Sequence, residues 1–217
     1  MLLLAMDTAT PAVTVALHDG QSVVAQSSQV DARRHGELLL PAVHRVLGEA
    51  GLKLEAVTGV VVGVGPGPYT GLRVGLVTAA TFASALGVPV HGLCTLDGLA
   101  YASGIDEPFV VATDARRKEV YWARYDDHRT RATEPSVDRP ADIADRVAGL
   151  PAVGAGARLY GEVFADARDP EHQSAAALAA LAAERLAAGG ELLEPLPMYL
   201  RRPDAQVPKN YKVVTPK

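Results

Sequence analysis

The residues best suited to chemistry lie in two stretches of the first third of the chain. Asp7 ends an apolar run and is followed by Thr8 and Thr10. An acid beside hydroxyls at a strand end suits a metal–phosphate site. It equally suits a turn in which the carboxylate bonds its own backbone. The second stretch is Gly63-Val64-Gly65-Pro66-Gly67-Pro68-Tyr69-Thr70-Gly71, between an apolar run and a helical pattern. A phosphate there would meet free amides and the positive end of a helix dipole. The glycines do not fall at G-x-G-x-x-G, no Gly-Lys-Ser/Thr ending follows, and two prolines remove donors. A rigid turn that aims the helix is the competing reading. The six histidines form neither H-x-x-x-H nor H-E-x-x-H, so no metal site is expected. There is no G-x-S-x-G elbow. The single cysteine, Cys94, sits in an apolar turn and reads as a small buried residue.

The helix after the glycine stretch carries Gly71, Gly75, Ala79 and Ala83 at intervals of four, on one face. Gly75 inside a helix costs about 1 kcal/mol relative to alanine, so close approach of another backbone must offset it. That backbone belongs either to the chain's own sheet or to a partner helix.

Around these positions the patterning predicts a strand over 2–6, an alternating strand over 13–17, and a hairpin at Asp19-Gly20 returning over 23–26. Helical spacing begins at Glu37 and stops near Gly51. Strands follow over 57–64 and 88–93, with helices over 70–86 and 95–102. Alternation of this kind implies an α/β layer with a mixed sheet. In the second half, a gapless shift of 107 places Ala5 on Ala112, Asp7 on Asp114, Val13 on Val120, Ala16 on Ala123 and Asp19 on Asp126. Leu4 falls on Val111 and Val15 on Trp122. This predicts two related lobes meeting near Asp106-Glu107-Pro108. Residues 126–139 read as a loop, 140–150 as a short helix with proline at its start, and 174–188 as a helix capped by Ser174. The expected division is 1–105 for the N-terminal lobe, 106–200 for the C-terminal lobe, and 201–217 for a basic tail, extended or partly disordered.

The 217 residues are 48% hydrophobic and 21% charged, ordinary for a globular chain able to build a core. The net charge of −4 argues against one broad basic nucleic-acid face. The tail reverses that sign, with Arg201, Arg202, Lys209, Lys212 and Lys217 against Asp204. One cysteine excludes an internal disulfide and fits a cytoplasmic setting. The run at 2–6 is too short for a signal peptide or a membrane span.

Four stretches then bring a family into view. They are Ala5-Met6-Asp7-Thr8-Ala9-Thr10, Gly65-Pro66-Gly67 through Tyr69-Thr70-Gly71-Leu72-Arg73-Val74-Gly75, Asp114-Ala115-Arg116 through Glu119-Val120-Tyr121-Trp122-Ala123, and Pro197-Met198-Tyr199-Leu200-Arg201. In that order, over nearly the whole chain, the sequence resembles the bacterial TsaB (YeaZ) family of the tRNA threonylcarbamoyladenosine pathway. The resemblance implies an α/β fold of the actin, Hsp70 and sugar-kinase (ribonuclease H-like) type, with two related lobes, each a mixed sheet flanked by helices.

It also implies a non-catalytic partner subunit in the cytoplasm, with no catalytic residue and no metal of its own. The partners implied are the catalytic paralogue TsaD, the small ATPase subunit TsaE, a second copy of the chain, and tRNA through the complex. ATP and Mg are used by that complex rather than bound by this chain alone. No membrane is implied. Helices over 34–50 and 70–86 would form the dimer interface, through His35, Leu39, Val43, Val46, Thr70, Gly71, Arg73, Val74, Gly75, Thr78 and Ala79. On this reading Gly75→Leu abolishes association and spares the monomer. Asp7, Thr8, Thr10, Gly65, Gly67 and Asp114 would form a vestigial or shared nucleotide/phosphate site. The alternative is a stand-alone ATPase or kinase of the same superfamily using Asp7, the glycine turn and Asp114. A peptidase reading finds no nucleophile–base pair in the sequence.

Overall fold

The computed structural model describes residues 1–201. The first sheet has the order β3-β2-β1-β4-β5. Its strands are β1 (Leu3–Asp7), β2 (Ala12–His18), β3 (Val23–Val30), β4 (Gly59–Gly63) and β5 (Val90–Leu93). β1, β2 and β3 run antiparallel, while β1, β4 and β5 run parallel. β1 and β4 are short, uninterrupted apolar runs, as strands covered on both faces require. The helices of this half are α1 (His35–Glu49), α2 (Tyr69–Leu86) and α3 (Thr95–Ser103).

The second sheet has the order β11-β10-β6-β7-β8, with β9 also on β7. Its strands are β6 (Phe109–Asp114), β7 (Val120–Asp127), β8 (Thr130–Arg131), β9 (Ser136–Asp138), β10 (Pro151–Val153) and β11 (Asp166–Arg168). Three helices accompany it: α4 (Pro140–Val147), α5 (Ala155–Leu159) and α6 (Ala175–Ala187). The Ser174 hydroxyl accepts from Ala177 N at 3.4 Å, the N-cap predicted from its residue type. The mixed α/β fold is therefore as expected. Two details differ from the sequence reading. Residues 126–139 are not a plain loop, because β8 and β9 pair with β7 there. β10, α5 and β11 appear where the sequence predicted nothing.

Each sheet packs helices on both faces, and the halves exchange one. α1 and α2 cover the outer face of the first sheet through Leu39, Val43, Val46, Leu72, Leu76 and Ala79. Its inner face, with Leu3, Ala5, Ala16 and Val61, is covered by α6 from the end of the chain. α3, from the first half, lies instead against Phe109, Val111, Ala123 and Tyr125 of the second sheet. α4 and α5 cover the outer side of that sheet around Val110, Ala112 and Trp122.

These faces correct the repeat. In the first sheet Ala5 pairs with Ala16, and both face inward. In the second Val111 pairs with Ala123, and both face inward. The shift of 107 therefore holds from β2 to β7, but β1 maps onto β6 with one residue less. Ala5 matches Val111, not Ala112, and Leu4 matches Val110, not Val111. Asp7 matches Thr113, not Asp114. The turn after β6 is one residue longer than the turn after β1, and a one-residue slip in a strand exchanges its faces.

A charged cluster ties the exchanged helices together. Asp97 of α3 accepts from the Tyr125 hydroxyl at 2.8 Å and from Arg131 Nη1 at 3.0 Å, and Arg185 of α6 lies 3.5 Å from its second oxygen. Asp97 is buried, so removing its charge strands two partly buried cations. Asp97→Asn is expected to lower stability by about 2 kcal/mol, or roughly 4–8 °C in melting temperature for a chain of this size. A melting temperature equal to wild type would show that the cluster does not hold the halves.

Candidate functional site

Two turns meet at the carboxyl ends of β1 and β4. Asp7 ends β1 fully buried. Its Oδ1 accepts from Ala9 N at 2.8 Å, and its Oδ2 accepts from the Thr95 hydroxyl at 2.8 Å. That hydroxyl also accepts from Gly65 N at 3.2 Å, linking β1, the glycine turn and the start of α3. Space for the carboxylate exists only because residue 63 is glycine, since a Cβ there would lie 2.0 Å from Asp7 Oδ2. Burial pushes the Asp7 carboxyl up to about 6, against the lowering effect of the Ala9 amide and the Thr95 hydroxyl.

Thr8 resolves the question posed by the small residues of α2. Its hydroxyl donates to Gly71 O at 2.7 Å and accepts from Gly75 N at 2.9 Å. It thus bridges two backbone groups four residues apart, the pair that a regular helix turn joins. A Cβ at Gly71 would meet Thr8 O at 2.8 Å, and one at Gly75 would meet the Thr8 hydroxyl at 2.6 Å. The close approach is therefore made within the chain.

In front of these turns lies a cavity of about 320 Å³. Its walls include Thr8, Thr10, His35, Thr70, Gly71 and Asp114, together with Arg33 and Arg116. The N-termini of α1 and α2 both border it, and neither is capped by a side chain. His35 Nε2 donates to Thr10 O at 2.8 Å, and the Thr10 hydroxyl bonds the Gln173 side chain. Asp114 accepts from Arg116 N at 2.8 Å and pairs with its guanidinium at 3.2 Å. The turn beyond holds Arg116, Arg117 and Lys118 in left-handed backbone, with φ of 62°, 54° and 63°. Non-glycine residues in that region carry strain. Arg201 clamps this turn, donating to Ala115 O at 2.9 Å and pairing with Glu119.

Of the six predicted phosphate-site residues, the cavity walls thus include Thr8, Thr10 and Asp114. Asp7, Gly65 and Gly67 are buried and are not among its walls. Arg33 and Arg116 were not singled out as site residues, although Arg116 lay inside a quoted motif. Among the described residues, no three His, Cys, Asp or Glu side chains form a metal ligand set.

The predicted interface residues divide by exposure. Leu39, Val43, Val46, Gly71, Gly75 and Ala79 are buried in the chain's own core, although Leu39 and Val43 also floor the hollows of the outward face and Gly71 borders the cavity. The structure corrects the expectation for Val46, Gly75 and Ala79, because α1 and α2 turn these positions onto the sheet. Thr70 and Arg73 are exposed, Val74 and Thr78 are half-buried, and His35 borders the cavity. The outward face instead carries Leu40 and Val77, 55% and 61% exposed, which the sequence reading passed over. Two shallow hollows follow this face. One is bounded by Leu40, Tyr69, Arg73 and Val77, the other by Leu40, His44, Leu52 and Phe82.

Residues 24–159 match the family model described as TsaD, tRNA N6-adenosine threonylcarbamoyltransferase. An uncharacterized protein of Mycobacterium tuberculosis is 44% identical over 210 residues, spanning 94% of this chain and 93% of that protein. The tRNA threonylcarbamoyladenosine biosynthesis protein TsaB of Escherichia coli is 36% identical over 128 residues, 58% of this chain and 55% of its own length. The structure of YeaZ from Pseudomonas aeruginosa superposes with a TM-score of 0.76 at 32% identity, covering 91% of this chain and all of that one. The ethanolamine utilization protein EutJ of Carboxydothermus hydrogenoformans, at 12% identity and a TM-score of 0.55, shares the fold alone. The resemblance read from the four sequence stretches and the fold expected from it are both borne out, and the chain belongs to the family of the threonylcarbamoyltransferase model as a TsaB/YeaZ-like protein with the actin-like fold.

Proposed function

We propose that the chain is the partner subunit of the machinery that installs threonylcarbamoyl on N6 of adenosine 37 in tRNAs reading ANN codons. It is not catalytic alone, works in the cytoplasm, and activates the catalytic paralogue TsaD by heterodimerising with it. TsaE and tRNA join through that complex, and ATP and Mg serve the complex. One observation carries the reading: on a TsaB-like chain, the outward face of α1 and α2 leaves two large apolar side chains, Leu40 and Val77, in water beside two hollows. An apolar patch rimmed by polar groups such as Arg73 and His44 marks an interaction site. No helix among the described residues is long and apolar enough to cross a membrane.

Val77→Asp and Leu40→Asp place a charge at the centre of this face without touching the core. Each is expected to weaken association with the paralogue by at least about tenfold, as loss of a central interface anchor does. Sizing chromatography of the mixed proteins reads the effect, with unchanged melting temperatures as the control. Undiminished co-elution of both variants with the paralogue overturns the assignment.

The cavity between the turns supports a vestigial or shared phosphate site as part of this reading. Two uncapped helix ends and Arg33 favour an anion there, while Arg116 is paired with Asp114 in the same wall. Calorimetry of the isolated chain with ATP and Mg separates this from the stand-alone ATPase or kinase. Tight binding with turnover favours the enzyme. The burial of Asp7 behind the cavity weighs against it.

A further inference from the structure

We infer that the free edge of β3 is a second interaction surface, on which a second copy of this chain adds antiparallel to continue the first sheet. Among the described residues the two sheets end at four places, and three are blunted. The β5 edge is covered by the chain itself, since Gly92 N donates to Leu193 O at 2.7 Å and Leu193 N to Gly92 O at 3.1 Å. β8 and β9 are two and three residues long and carry Arg131 and Asp138. β11 is three residues long and carries Asp166 and Arg168. Short strands and edge charges are the usual protection against edge pairing.

β3 lacks both. It has eight residues, Val-Val-Ala-Gln-Ser-Ser-Gln-Val, with no charge and no proline. It bulges at its start, opposite Leu17 and His18, and over 25–30 it pairs residue by residue with β2. Val24 and Val30 stand 41% and 56% exposed. An edge of this kind is a template for strand addition.

The pattern of the strand favours its own copy as the added strand. Residues directly opposite in a two-fold antiparallel pair share a face of the sheet. A pair centred on Ser27 therefore sets Gln26 opposite Ser28 of the copy and Ala25 opposite Gln29. It carries Val30 to the end that holds Val23 and Val24, so the exposed valines cover one another. With no charge along the strand, the two-fold axis sets no like charges against each other there. The ends carry opposite charges as well: exposed Asp19 precedes the strand and exposed Arg33 follows it, while Arg34 is already paired with Asp31 at 2.8 Å. Antiparallel pairing brings each end to the other. The α1–α2 face stays open, because its exposed residues lie on helices packed over one side of the sheet, not along its edge.

Sedimentation velocity from about 1 µM to 1 mM, on the full chain carrying Val77→Asp so that the α1–α2 face cannot join two copies, tests this. A single strand junction buries less than the roughly 800 Å² per partner of a tight interface, so the dimer is expected only at the upper concentrations. Gln26→Lys is expected to weaken it by at least about tenfold, because two-fold pairing places the new cations near each other. The double variant Q26K/S28E restores it, since each lysine then faces a glutamate of the copy. The Val77→Asp background separates this surface from the α1–α2 face. Circular dichroism confirms that the variants stay folded. In the Val77→Asp background, a monomer at every concentration, a dimer indifferent to Gln26→Lys, or no recovery in Q26K/S28E would each overturn the inference. Binding of a foreign strand by a chain that stays monomeric would do the same.

Discussion

Replacing Gly75 with leucine is expected to cost the monomer its fold before any partner is involved. Even a single methyl would lie 2.6 Å from the Thr8 hydroxyl and 3.7 Å from Val62. The hydroxyl cannot move aside, because it donates to Gly71 O at 2.7 Å and accepts from Gly75 N at 2.9 Å. Displacing it leaves buried backbone groups unpaired as well as overpacking the contact between α2 and β1. Gly75→Ala should therefore cost about 3 kcal/mol, roughly 6–12 °C in melting temperature, despite the better helix propensity of alanine. Gly75→Leu should yield insoluble or unfolded protein. The double variant G75A/T8A should recover part of the loss in the single variant, since the obstructing hydroxyl is gone. A Gly75→Leu monomer that melts like wild type and fails only to associate would place the glycine face outward and refute this packing.

That expectation reverses the one drawn from spacing alone, and the reversal shows where sequence reading stops. The interval of four shared by Gly71, Gly75, Ala79 and Ala83 identifies a face of close approach. It says nothing about which backbone approaches, because small residues serve a partner helix and a sheet equally. The deciding group is the hydroxyl of Thr8, 67 positions before Gly75. The repeat behaves likewise. Matching Val13 with Val120 and Ala16 with Ala123 was legible, because β2 and β7 keep their periodicity. The slip between β1 and β6 was not, because one extra residue in the second turn leaves apolar runs on both sides still looking aligned. β8 to β11 span two or three residues each, too few for any period to register. The exchange of α3 and α6 between the halves was invisible for another reason. Both are rich in alanine and leucine and would suit either sheet. The cavity gathers residues from the turns after β1, β3, β4 and β6, and its arginines stand in polar stretches that look like ordinary loops.

Asp7 poses the opposite problem, a residue legible as chemistry whose surroundings make it costly. Among the described residues no cation offsets its burial, which raises its carboxyl from 3.8 to about 6. Below both values the carboxyl is protonated whether the chain is folded or not, and it contributes nothing to the pH dependence. Between about 4 and 6 the unfolded chain releases a proton that the folded chain keeps, so stability falls as pH rises. Above about 6 the full penalty stands, about 3 kcal/mol at 1.36 kcal/mol per unit. Asp7→Asn keeps an oxygen for the Ala9 amide and removes the titration. It is expected to melt above wild type at pH 7.5, by up to roughly 6–12 °C, with the gap closing as pH falls to 4.5. Every other titrating group cancels in that difference, so melting the two proteins across this range isolates Asp7. A gap that is constant with pH, or one that widens on acidification, would mean that the carboxyl is not held up by burial. If the asparagine variant is more stable and still supports the paralogue fully, the charge on Asp7 serves no part of the shared activity. If it is more stable and supports the paralogue poorly, the carboxylate is retained for the complex at the monomer's expense.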